Sequence, residues 1–167
     1  MFKKILVPLD GSETAEQILP HLEKLFKCLD GDIRLVQVSP RTTVSVEKAQ
    51  GYLDGILDGL KERFPTMDSL VLLGSVAPTL IHHAVEEGFD LIAMSTHGRS
   101  GLSKFFYGSV AEELLRASPV PLLLVRPDFE PTRFRRILVP LDGSKRAESI
   151  LSLATGFSKA SGGELLI

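Results

Sequence analysis

Cysteine is nearly missing from this chain. The one residue, Cys28, excludes any internal disulfide and fits a reducing compartment. An excess of either charge is missing too: 19 Lys and Arg stand against 21 Asp and Glu, for a net charge of −2. That leaves no electrostatic case for nucleic acid or an anionic membrane as the main partner. The densest basic cluster, Arg133, Arg135 and Arg136, falls in a segment that reads as a linker. Long apolar runs are absent. The N-terminal run is Ile5 to Val7, stopped by Pro8, which is too short for a secretory signal, and nothing approaches a membrane span. A cytoplasmic protein is expected. No Cys, His or carboxylate cluster has metal-ligand spacing, and no G-x-S-x-G elbow, Walker A sequence or G-x-G-x-x-G occurs. His82 and His83 are neighbours that leave a helix in different directions, so they read as a solvated pair rather than as metal ligands. What is present is 44% hydrophobic and 24% charged residues, a composition able to bury a core.

An internal repeat comes next. Phe2 to Ser12 reads FKKILVPLDGS and Phe134 to Ser144 reads FRRILVPLDGS, identical at nine of eleven positions, with Lys exchanged for Arg at the other two. The pattern continues: Ala15, Ile18 and Leu19 are answered by Ala147, Ile150 and Leu151, and Gly31 by Gly163. Duplication accounts for this. The expected organisation is a complete domain over 1–128, a proline-bearing linker over 129–134, and the truncated start of a second copy over 135–167. A piece of that size cannot bury its own apolar faces. It is expected to be disordered, or docked on a neighbour through its strand and helix.

The elements alternate strand and helix. Lys4 to Leu9 is a short apolar run ended by Pro8 and the Asp10-Gly11 turn signal, as expected of a buried parallel strand. Ser12 is placed to cap a helix whose apolar face is Ala15, Ile18, Leu19, Leu22, Leu25 and Phe26, running to Asp30-Gly31. Strands are expected at 33–38, 69–73, 89–94 and 121–126, and helices at 44–64, 78–87 and from about 106 to 117. Five strands joined by helices imply an α/β fold: a doubly wound, five-stranded parallel sheet of flavodoxin or Rossmann type, order 3-2-1-4-5, with helices on both faces. On the second helix, Gly51, Gly55 and Gly59 form a small-residue stripe, each costing about 1 kcal/mol relative to Ala. Close approach of another helix is one reading, and a loosely ordered helix the other.

Ligands in such sheets bind at the carboxyl ends of the strands, where the strand order reverses. Two segments lie there: Pro8-Leu9-Asp10-Gly11-Ser12, and Ser95-Thr96-His97-Gly98-Arg99-Ser100-Gly101 followed by Gly108-Ser109-Val110. Glycines let backbone N–H groups approach an anion, and a helix N-terminus adds donors and partial positive charge. Ser109 and Arg99 can add a hydroxyl and a cation, and Asp10 can accept from a ribose hydroxyl. Two readings stand: a phosphate site, or glycines that only shape turns. His97 either touches a phosphate or hydrogen-bonds within its loop.

The set VPLDGS, STHGRSG, then GS after nine residues and PLLLVR resembles the universal stress protein family over residues 1–128, and again, in part, over 134–167. The family's nucleotide-binding pattern is G-x-x-G, nine residues, then G-[S/T]. Gly98, Gly108 and Ser109 match it, and Ser95 replaces its first glycine. The resemblance implies an adenine nucleotide, ATP or else AMP or ADP, with or without Mg. Asp10, beside Pro8 and Leu9, would contact the ribose and Val38 the adenine edge. Met94, Ser95, Thr96, His97, Gly98 and Arg99, with Gly108, Ser109 and Val110, would surround the ribose and phosphates. It further implies a homodimer through antiparallel pairing of Pro121 to Arg126. The expected function is a stress-response nucleotide-binding module or switch with at most slow hydrolysis, because no general base other than Asp10 is evident. The alternative is a nucleotide-free dimeric interaction protein of the same family.

Overall fold

Ile5, Leu6 and Val7 have no exposed surface at all, which is why β1 (Lys4–Pro8) reads as a continuous apolar run: both faces of a central parallel strand are covered. The computed structural model describes residues 2–26, 31–39, 42–96, 108–126 and 134–167, with backbone only for Glu23, Leu25 and Phe26. Around β1 stand β2 (Asp32–Ser39), β3 (Asp68–Leu73), β4 (Leu91–Ser95) and β5 (Leu122–Val125), all parallel, in the order β3-β2-β1-β4-β5. This is the expected order, and it reverses between β1 and β4, where Ile5 pairs with Leu91.

The helices are α1 (Glu13–Glu16), α2 (Leu19–Phe26), α3 (Thr43–Leu60), α4 (Val76–Glu86) and α5 (Ser109–Ala117). Leu6, Val36 and Ile92 point from the sheet into one core with Ala77, Leu80 and Ala84 of α4, Phe89, and Leu114 of α5. By strand alternation Ile33 and Leu35 face the other side, where α3 packs on β2 and β3. Each fully buried Leu or Ile contributes a gross ~1.5–3 kcal/mol.

Two expectations are corrected. The first helix does not run unbroken from Ser12: α1 ends at Glu16 and α2 begins at Leu19. Pro20 lacks the N–H that would bond to the Glu16 carbonyl, and it is tolerated in the first turn of a new helix. The glycine stripe of α3 has no packing partner among the described residues. All three glycines are exposed, and a Cβ added at Gly51, Gly55 or Gly59 would meet nothing within 4 Å. Gly31 is the opposite case. A Cβ there would come within 2.8 Å of the Phe2 carbonyl oxygen, so the close approach of β2 to the start of β1 requires glycine.

At the amino ends of the strands, Arg34 grips Asp68 with two hydrogen bonds of 2.8 and 2.6 Å, and Lys4 donates to the Glu87 carbonyl at 2.7 Å. His83 is half-buried with its ring 5.6 Å from that of Phe89, so the expected solvated pair is only half right: His82 is exposed, His83 is not.

The chain divides into two compact units. One holds Phe2–Leu19 and Gly31–Phe129; the other holds Met1, Pro20–Asp30 and Glu130–Ile167. Within the second, β6 (Arg136–Leu138) pairs in parallel with β7 (Glu164–Leu166), joined through α6 (Lys145–Glu148) and α7 (Ile150–Ser161). The two similar sequence segments also share local backbone geometry. Glu164 N donates to the Arg135 carbonyl at 2.8 Å as Asp32 N does to that of Lys3 at 2.8 Å. A Cβ on Gly163 would collide with the Phe134 carbonyl oxygen as one on Gly31 would with that of Phe2.

Candidate functional site

The first wall of the site is the turn that leaves β1. Leu9 N still donates to the Val36 carbonyl at 2.8 Å, holding the chain to β2 one residue past the strand. Asp10 then turns the chain: its Oδ1 accepts from Ser12 N at 3.0 Å and from Ser12 Oγ at 2.6 Å. Gly11 takes φ 81°, a left-handed conformation that favours glycine. Ser12 has the extended backbone of an N-cap, and its Oγ accepts from Ala15 N at 3.2 Å. Asp10, Gly11 and Ser12 thus form one unit that ends a strand, starts a helix and fixes a carboxylate at the strand's carboxyl end.

The second wall is β4 and the start of α5. Thr96 N donates to the Val125 carbonyl at 2.8 Å, and Gly108 N donates to the Thr96 carbonyl at 2.8 Å, which ties the beginning of α5 to the end of β4. Gly108 is the N-cap residue, and among the described residues no side chain caps α5. A helix N-terminus presents N–H groups to a ligand, with the helix dipole adding partial positive charge.

Between these walls lies a cleft of about 200 Å³. It is lined by Pro8, Leu9, Asp10, Val38, Met94, Ser95, Thr96, Gly108, Ser109 and Val110. These are all sequence-derived site residues, drawn from β1, β2, β4 and α5. Three of the expected residues, His97, Gly98 and Arg99, lie outside the described residues. The sequence reading missed Ala15, Val76 and Ala111, which also line the cleft. Ala15 and Ala111 sit one turn into helices whose first residues were singled out, so extending each helix by a turn would have found them. Val76 is the first residue of α4, and nothing in its local sequence points to the site.

Ser95 is the unusual member. It is only 2% exposed, and its Oγ is buried with no hydrogen-bond partner. A buried hydroxyl left unpaired costs about 1–3 kcal/mol, so a ligand that pairs with it recovers that cost. Among the described residues that line the cleft, Asp10 is the only charged one. Among the described residues no group of three His, Cys, Asp or Glu could hold a metal ion, and no helix is long and apolar enough to cross a membrane. The arrangement offers apolar lining from Val38 and Met94, a carboxylate acceptor at Asp10, and the hydroxyl of Ser109 with the first N–H groups of α5.

Known proteins are similar to this chain in sequence and fold. A universal stress protein of Methanocaldococcus jannaschii is 27% identical over 156 residues, covering 75% of this chain and 96% of that protein. The solved structure of a universal stress protein from Archaeoglobus fulgidus superimposes with a TM-score of 0.72 at 28% identity, covering 97% of this chain and 65% of that one. A universal stress protein solved in complex with cAMP has the same fold, with a TM-score of 0.64 at 15% identity over 76% of this chain and 99% of that one. The sequence model of the universal stress protein family matches residues 1–126. With its five-stranded order and this cleft at the β1/β4 reversal, the chain belongs to the universal stress protein family.

Proposed function

We propose that the cleft binds an adenine nucleotide, ATP or one of its shorter forms AMP and ADP, and that the protein acts as a stress-response binding module or switch. The observation that carries this reading is the cleft at the β1/β4 reversal, which gathers the Asp10 carboxylate, Val38 and Met94, and the first residues of α5 on its wall. The base would lie between Val38 and Met94, the ribose hydroxyls would donate to Asp10, and the phosphates would accept from the N–H groups of Gly108 to Val110 and from Ser109. His97, Gly98 and Arg99 are assigned to the phosphates by family pattern alone. Ser95, where the family pattern has glycine, would add a hydroxyl partner of its own. Any Mg would arrive on the phosphates, because Asp10 is the one carboxylate among the described cleft residues and is already held by Ser12. The same commitment of Asp10 leaves no general base beside α5 among the described residues, so hydrolysis would be slow at most. The relative solved with cAMP shares the fold and, at 15% identity, carries no residue assignment.

Calorimetric titration with ATP and with AMP, with and without Mg, tests this. Micromolar to submillimolar binding of either is expected, and no binding of both at millimolar concentration overturns the nucleotide reading.

Two wider readings rest on the same family pattern. Residues 135–167 are read as the start of a second copy after the complete domain 1–128 and the linker 129–134, on the strength of the repeated strand, cap and glycine geometry. The family match itself ends at residue 126. A homodimer is read through the edge strand β5, which among the described residues pairs only with β4 and leaves Leu122, Leu123 and Leu124 half-buried, an edge that proteins normally cover. A nucleotide-free dimeric interaction protein is the second reading, favoured by the serine at position 95. Nucleotide released on denaturing the purified protein, seen as absorbance at 260 nm, decides against it.

A further inference from the structure

A second, larger recess borders the cleft. It has a volume of about 560 Å³ against about 200 Å³, and shares Asp10, Val38 and Val76 with it. It shares nothing with Gly108, Ser109 or Val110, so it opens from the base and ribose end of the proposed nucleotide and not from its phosphate end. Its far wall is α3, with Lys48 and Tyr52. Tyr52 is fixed there by donating its hydroxyl to Glu16 Oε1 at 2.9 Å.

Two features define what would fit. Gln37 lines the recess, and its side-chain carbonyl oxygen is buried with no hydrogen-bond partner. Such an acceptor is satisfied only by an O–H or N–H group brought to it. Among the described residues of the wall the charged side chains are one carboxylate, Asp10, and one ammonium, Lys48, which balance. A balanced wall with an unmet acceptor selects an uncharged, hydroxyl- or amine-bearing group, and the volume suits one of nucleoside size. The shared rim at Asp10 is where the first ribose would offer its hydroxyls. A bond through one of those hydroxyls leads from the cleft into the recess, and the single negative charge of a phosphodiester there would face Lys48.

We propose that this recess is a second nucleoside subsite, so that the preferred ligand is a dinucleotide joined through a ribose hydroxyl rather than a mononucleotide. The proposal rests on the nucleotide reading of the first cleft. Calorimetry on the full chain with 5′-AMP and with 5′-phosphoadenylyl-(3′→5′)-adenosine, which keeps the 5′-phosphate of AMP, tests it. The dinucleotide is expected to bind at least tenfold more tightly than AMP. Gln37→Leu is expected to remove that advantage while leaving AMP binding unchanged. Lys48→Ala, at an exposed position that does not endanger folding, is expected to weaken only the dinucleotide, severalfold. Equal affinity for the two ligands, or variants that weaken both alike, overturns the second subsite and leaves the nucleotide reading standing. Failure of both ligands to bind at millimolar concentration removes the nucleotide reading, and this inference with it.

Discussion

Single atoms decide several outcomes. Gly31 and Gly55 look alike in sequence, yet a Cβ at the first would press on the Phe2 backbone at 2.8 Å and one at the second would meet open space. Gly31→Ala should therefore destabilise by about 1–3 kcal/mol through overpacking, whereas Gly55→Ala should stabilise by up to about 1 kcal/mol through helix propensity. Urea unfolding of the two variants checks both signs. Ser95 gives a similar contrast between states. Ser95→Ala removes an unpaired buried hydroxyl, so it should leave the unliganded protein equally or more stable while weakening nucleotide binding several-fold. Comparing the thermal midpoint with and without ATP reads both effects.

His83 adds a pH dependence. Burial is the main cause that pushes its imidazole below the ordinary value of 6.5, with the charges of Arg34 and Lys4 acting the same way and those of Glu87 and Asp68 opposing them. The folded state thus binds the proton less readily than the unfolded chain. The stabilising contribution is complete above about pH 6.5 and is lost as pH falls below it towards the lowered folded value. The urea midpoint of the wild type should drop more between pH 7.5 and pH 5 than that of His83→Gln. Equal drops would show that another group governs the acid limb.

At the scale of elements, the Asp10-Gly11-Ser12 turn does two jobs that its copy at Asp142-Gly143-Ser144 separates. Both serines cap a helix, Ser12 toward Ala15 N at 3.2 Å and Ser144 toward Ala147 N at 3.1 Å, and both glycines take φ near 80°. In the copy, the side-chain hydrogen bond from Ser144 is the first cause holding the Asp142 carboxyl below the usual range, joined by the one from its backbone N–H. Only the first turn lies on the cleft. Ser12→Ala should cost about 0.5–2 kcal/mol of stability and also weaken nucleotide binding, because Asp10 loses a donor that orients it. Ser144→Ala should leave nucleotide affinity unchanged, which a parallel titration of the two variants shows. The motif was legible in sequence because Asp, Gly and Ser each have a local backbone reason to be there. The break between α1 and α2 was legible too, had Pro20 been weighed against the apolar face that runs through it.

For the whole molecule, the β5 edge and the repeat bear on assembly. Light scattering should give a dimer at micromolar concentration, and Leu123→Lys should shift it to monomer without loss of the folded signal in circular dichroism. A wild-type monomer under those conditions would count against pairing through β5. Local pattern carries only the width of a helix's apolar face, and which surface that face covers depends on burial over the whole fold.

The sequence by itself determined the five parallel strands, their order and the cap-and-turn units. Apolar runs, helix stripes and Gly, Pro, Asp and Ser signals act over a few residues, and right-handed crossovers leave few ways to join them. It also named most residues of the cleft, because strand carboxyl ends and helix N-termini can be recognised locally. Only the tertiary structure decided that Val76, Ala15 and Ala111 join them, that the Ser95 hydroxyl and the Gln37 carbonyl are buried without partners, and that a second recess opens beside Asp10. Those are properties of burial, set by segments far apart in the chain that exclude water together.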